Sequence, residues 1–123
     1  MAAPNIVNVS SIYGKTMGAA LGTTAGADIL SGASDKLYKI NSIIVSNVDG
    51  TNAADVDVSF VDSSSGNLVL HLAKTVSVPA DSTLIVLGKD APIYLEEGDK
   101  IQAKASAASD LEIIVSYEEL DDA

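Results

Sequence analysis

Residues 55–61, Asp55-Val56-Asp57-Val58-Ser59-Phe60-Val61, decide the fold class. Val56, Val58 and Phe60 fall on one side of an extended chain, with Asp55, Asp57 and Ser59 on the other. A period of two is what a strand needs when one face of its sheet is packed and the other is wet. A helix would scatter the same side chains around its circumference. Turn signals flank the run. Upstream stands Asn47-Val48-Asp49-Gly50-Thr51-Asn52, whose Asp-Gly pair favours a tight reversal. Downstream, Asp62-Ser63-Ser64-Ser65-Gly66-Asn67 is a second polar turn, so residues 54–74 read as a hairpin.

The pattern continues in both directions. Residues 37–47 are rich in β-branched side chains, and Leu68, Leu70 and Leu72 share a face opposite Val69, His71 and Ala73. Val76 and Val78 extend that run to Pro79. Residues 83–87 and 93–95 are apolar and strand-length, Ile101, Ala103 and Ala105 alternate, and so do Ile113, Val115 and Tyr117 within 111–118. Gly14, Gly18, Gly22 and Gly26 stand four apart, but so many glycines would cost a soluble helix about 1 kcal/mol each. Strands and turns are expected there instead. Asn5-Ile6-Val7-Asn8-Val9 reads as a short extended segment, placed on the sandwich edge or across to a neighbouring subunit. The expected fold is all-β: a single antiparallel β-sandwich, jelly-roll-like, of about eight strands. An N-terminal arm is assigned to 1–14, the sandwich to 15–119 and an acidic tail to 120–123.

Composition narrows the function. The chain has 123 residues, enough for one domain with its own core, and no Cys, which excludes disulfides and thiolate metal sites. Seven Lys, no Arg and seventeen acidic residues leave a net charge of −10. That balance argues against nucleic acid and against an anionic membrane as partners, since both need clustered cations. The first residues lack the basic and apolar regions of a secretory signal, and no run reaches the ~20 apolar residues of a membrane helix.

Few residues are candidates for chemistry. His71, the single His, lies on a strand opposite the leucine face; a catalytic base needs a nucleophile and an orienting group near it, but Ser and Asp are so abundant here that chance supplies them, and His71 reads as a surface or interface residue. The pairs Asp55/Asp57, Glu96/Glu97, Glu118/Glu119 and Asp121/Asp122 read as solvated faces; a glycosidase would also want aromatic platforms, and there is no Trp. Residues 47–52 resemble the middle of an EF-hand loop, yet Val56 holds the position of the bidentate Glu, so only a looser Ca²⁺ site at Asp49, Asn52 and Asp55 stays open. Gly14-Lys15-Thr16 lacks the earlier glycine of a phosphate loop, where Val9 stands. Neither a catalytic residue, a metal ligand nor a cofactor site is assigned. The residues expected to touch partners are Asn5, Ile6 and Val7 of the arm, Asn47, Asp49 and Asn52 of one loop, and Ser63 and Asn67 of the next.

One likeness spans residues 15–119. Tyr38-Lys39-Ile40-Asn41-Ser42-Ile43-Ile44-Val45-Ser46-Asn47 leads to the Asp-Gly turn and the alternating strand, then Leu72-Ala73-Lys74, Val78-Pro79-Ala80 and Tyr94-Leu95-Glu96-Glu97-Gly98-Asp99. Ile114-Val115-Ser116-Tyr117-Glu118-Glu119 closes the series. This order resembles small β-sandwich structural proteins of tailed bacteriophages, notably cyanophages. The resemblance implies a non-enzymatic virion component, most like a head decoration (cement) protein on the outer surface of the phage head. Its implied partners are the major capsid protein and other copies of itself, as a trimer. A neck, tail or fibre component, or a receptor- or carbohydrate-binding module, is the alternative. Val61, Val69, Ile85, Leu87 and Ile114 fall on nominally outer faces, so a second sheet or neighbouring subunits are expected to cover them.

Overall fold

The structure, a computed structural model, describes residues 6–121. Among these residues nine strands form: β1 (Ser11–Ala20), β2 (Asp28–Ser31), β3 (Lys36–Asn47), β4 (Ala54–Asp62), β5 (Leu68–Val78), β6 (Thr83–Leu87), β7 (Ile93–Leu95), β8 (Lys100–Ala105) and β9 (Leu111–Asp121). They make two antiparallel sheets. The first runs β1-β9-β3-β6, with β7 also on β3, and the second runs β2-β8-β4-β5. Strands β6 and β7 are two halves of one edge: Thr83 to Leu87 pair with Ser46 back to Ile43, and Ile93 to Leu95 pair with Ile40 back to Tyr38. Counted as one strand, they leave eight in the order of a jelly roll, in which the chain repeatedly crosses from one sheet to the other. The protein is an all-β sandwich.

The core is the filled space between the sheets. Ile40, Ile43 and Val45 of β3, Val56 and Val58 of β4, Ile101 of β8 and Ile113 and Val115 of β9 are fully buried there. Each such side chain contributes about 1.5–3 kcal/mol over an exposed position. The period of two read along residues 55–61 is therefore the packed face of β4, with Phe60 at its rim. Tyr38 and Tyr117 supply the ring contact, centroids 5.2 Å apart and planes tilted by 48°.

The turns close on their own polar side chains. Asp62 caps the 3₁₀ turn Ser63–Ser65 by accepting from the Ser64 N–H, and Gly66, at φ 72°, ends it. The most constrained junction lies around Asp99, a buried carboxylate. It accepts from the Ser63 N–H (3.0 Å) and hydroxyl (3.2 Å) and from the Glu96 N–H (3.0 Å). Gly32 and Gly98 complete the knot, the Gly98 N–H donating to the Gly32 carbonyl over 3.1 Å.

Three sequence expectations change. Ile6, Val7 and Asn8 form a turn and bend rather than an extended segment, and sheet pairing begins at Ser11 opposite Asp121. Asn5 lies outside the described residues. The acidic end is not a solvated tail as far as Asp121: β9 continues through it, and Glu119 and Leu120 are buried. Of the five apolar residues expected to face outward, the chain itself covers two. A bulge between Ile43 and Ile44 turns Leu87 into the core, and Val61 is buried as well.

Candidate functional site

The loop residues proposed as contacts divide by what their side chains do. Asn47 is buried, and its amide donates to the carbonyls of Asn52 (3.0 Å) and Val78 (2.9 Å) while its oxygen accepts from the Asp49 N–H (2.9 Å). Its role is to hold the loop. Asp49 accepts from the Thr51 and Asn52 N–H groups at 2.8 and 3.3 Å, an Asx-type turn that organises the loop from within. Ser63 is tied to Asp99 and to the Glu97 carbonyl. Asn52 and Asn67 are exposed, as are Ile6 and Val7, the last at 83 %. Among the described residues no group of three or more His, Cys, Asp or Glu is placed to hold a metal ion.

Apolar side chains without cover lie elsewhere. On the outer face of the first sheet Ile85, Ile44 and Ile114 stand side by side on β6, β3 and β9, with Gly18 of β1 next in the row. Ile85 is 67 % exposed and Ile114 41 %. At one edge of the second sheet, β5 presents Leu68, Val69 and Leu70, Leu70 being 52 % exposed. There the sheets part, leaving a slot of about 180 Å³ lined by Phe60, Leu70, His71, Leu72, Ile93 and Tyr94. Of the sequence-predicted outer residues, Val69, Ile85 and Ile114 are the three that stay exposed.

The opposite end of the first sheet carries a charge network. Glu119, 6 % exposed, accepts from Lys15 Nζ at 3.0 Å and Lys36 Nζ at 3.3 Å, and Lys36 also reaches Asp121 at 2.9 Å. The hydrogen bond to Glu119 raises the Lys15 pKa, and that to Asp121, with Glu119 behind it, raises Lys36. Burial, and then the Glu119 charge, pushes the Tyr38 hydroxyl up. The turns show the opposite sign. The Thr51 N–H holds Asp49 below the ordinary aspartate value, and the Ser64 hydroxyl does so for Asp62.

These directions set a stability profile. Depressed carboxylates contribute stability that is present above their unfolded pKa and lost as pH falls through the folded one, below about pH 4. Raised lysines contribute stability that is present below their unfolded pKa and lost as pH rises through the folded one, above about pH 10. The urea midpoint is therefore expected to be level across the neutral range and to fall on both flanks. In Lys15→Met plus Lys36→Met the alkaline fall should shrink relative to the wild type. An unchanged alkaline flank would remove the network from the account.

On the outer face of the second sheet an open depression of about 270 Å³ brings together Asp57 and Ser59 of β4, His71 of β5, and Gln102 and Lys104 of β8. Residues distant in the chain meet here because β4 pairs with both β5 and β8, placing Ser59 opposite His71 and Gln102. Ser, His and Asp are thus neighbours, although no hydrogen bond joins His71 to Ser59 or Asp57 among the described residues. Sequence reading treated His71 alone and missed this cluster. Only the strand register could have revealed it.

The fold defines the chain as a jelly-roll β-sandwich. No protein-family model and no curated protein matches it.

Proposed function

We propose that the chain is a non-enzymatic virion structural protein of a tailed bacteriophage, a decoration protein that sits on the outer head surface as a homotrimer and braces the major capsid protein. The observation that carries this reading is the exposed apolar surface, Ile85 and Ile114 flanking half-buried Ile44 on one sheet and Leu68, Val69 and Leu70 on an edge of the other. Exposed apolar groups grouped on a sheet face and along a sheet edge suit a subunit that is finished by its neighbours. Jelly rolls recur in viral capsids, lectins and cupins, so fold alone does not choose among them. Charge supports the same reading: a chain of net charge −10 is repelled by packaged DNA and attracted to a capsid surface that offers lysine or arginine. Affinity would come from many modest contacts repeated by symmetry.

Copy number tests the proposal. Calibrated mass spectrometry of purified virions is expected to find this chain at a simple ratio to the major capsid protein. A count matching one ring or one spike set would place it in the neck, tail or fibre instead. Absence from the particle would overturn the virion reading altogether.

A further inference from the structure

The sheet edges are not equally guarded. An edge strand offers unpaired N–H and C=O groups to any extended chain, and natural sheets blunt such edges with charge, brevity, proline or bulges. In the first sheet, β1 carries Lys15 midway along, and β6 and β7 are five and three residues long with Pro92 between them. In the second sheet β2 has four residues, among them Asp28. The remaining edge is β5, eleven residues long and paired on one side only, with β4, among the described residues. From Leu72 onward it too is guarded. Register shifts on either side of Ala73 mark bulges, Thr75 stands at φ 52°, and Lys74 lies between those two residues. Residues 68–71 have none of these devices. They pair in unbroken register with Asp62 back to Ser59, and Leu68, Val69 and Leu70 are each about half exposed.

Two observations choose the occupant, a second copy of this chain. The first is charge. Copies of a chain of net charge −10 repel one another, yet β5 carries no acid over its whole length, so two copies can approach along this edge. The second is self-complementarity. Side chains opposite one another in an antiparallel pair share a face, so a strand laid against its own copy turns about one of its residues. In the register centred on Val69, Leu68 meets the partner's Leu70. In the register centred on Leu70, that leucine meets its own copy and Val69 meets the partner's His71. Either register continues the apolar strip that Leu70 begins beside Phe60 and Ile93 at the mouth of the sandwich. We propose that the β5 edges of two copies pair antiparallel along residues 68–71 and join their four-stranded sheets into one. Such a contact is twofold and cannot close a ring of three. On the virion reading, on which this last step rests, it ties one trimer to the next across the head.

So short a pairing makes a small contact, and it is expected to show at high protein concentration. Sedimentation equilibrium of the full chain should then give the wild type at least twice the mass of Leu70→Lys, whose new charge sits on the pairing strand. The chain has no Cys, so single cysteines report the geometry directly. On oxidation, Val69→Cys or Leu70→Cys, whichever stands opposite its own copy, should form a disulfide-linked dimer about ten-fold faster than Ile85→Cys, which is more exposed but lies on the other sheet. The cysteine variants keep the test open if Leu70→Lys perturbs the fold. Equal masses for wild type and Leu70→Lys would overturn the proposal, as would cross-linking at both 69 and 70 no faster than at 85. Virion copy number is a separate readout, so the pairing and the virion reading can fail independently.

Discussion

Asp99→Ala is expected to cost about 4 kcal/mol of stability, a large part of the 5–15 kcal/mol that a domain of this kind holds. The carboxylate is buried and receives three hydrogen bonds, from the Ser63 N–H, the Ser63 hydroxyl and the Glu96 N–H. Bonds to a charged acceptor are worth about 1.5–3 kcal/mol each, and truncation also leaves two backbone donors without partners in a partly buried place. The damage reaches beyond one turn, because Ser63 belongs to the β4–β5 connection and Glu96 to the β7–β8 connection. Asp99→Asn should lose about half as much, since an amide keeps one acceptor but turns its own N–H groups toward a donor. Urea unfolding with an unchanged slope would measure both. A loss under 1 kcal/mol for Asp99→Ala would mean that the two connections are held by something else.

What could be read in the sequence, and what could not, follows from the range of the forces involved. Strand identity is local. The inward set Val56, Val58 and Phe60, and the set Ile113, Val115 and Tyr117, come directly from a period of two, and both line the core. Bulges break that rule without a local mark: the extra residue between the pairs of Ile43 and Ile44 turns Leu87 inward, where strict alternation from Ile85 leaves it on the outside. The acidic end misled for a different reason. Glu118-Glu119-Leu120-Asp121 looks solvated because the lysines that receive Glu119 are 104 and 83 positions away. Asn47 looks like a contact residue in the sequence, yet its amide is consumed by the carbonyls of Asn52 and Val78, and the second of these is 31 positions away. The Ser59 depression was hidden in the same way. Each of its residues is ordinary along its own strand, and register alone makes them neighbours.

Gly32→Ala is expected to cost about 3 kcal/mol, the upper end for forcing a methyl group into occupied space. A Cβ built on Gly32 overlaps the carbonyl oxygen of Glu96 and lies 3.0 Å from its carbonyl carbon and 3.3 Å from the Gly98 nitrogen. Those neighbours are backbone, so no rotamer change can relieve the clash. Nor can the two segments simply separate. The Gly32 N–H donates to the Asp99 carbonyl at 2.8 Å and its carbonyl accepts from Gly98 at 3.1 Å, so moving apart surrenders both bonds. Gly14 is the internal control: nothing stands within 4 Å of its Cβ position, it sits in β1, and its φ is not positive. Gly14→Ala should leave stability unchanged or raise it by about 0.5 kcal/mol, through the smaller entropy of the unfolded chain. The two alanine variants thus separate steric exclusion from any general effect of replacing glycine. A double variant, Gly32→Ala with Asp99→Ala, should lose less than the sum of the two. Once Asp99 no longer pins the Glu96 turn, that turn can shift away from the new methyl group. Strict additivity would mean that the clash and the carboxylate act on different parts of the structure, contrary to the knot described by their shared contacts.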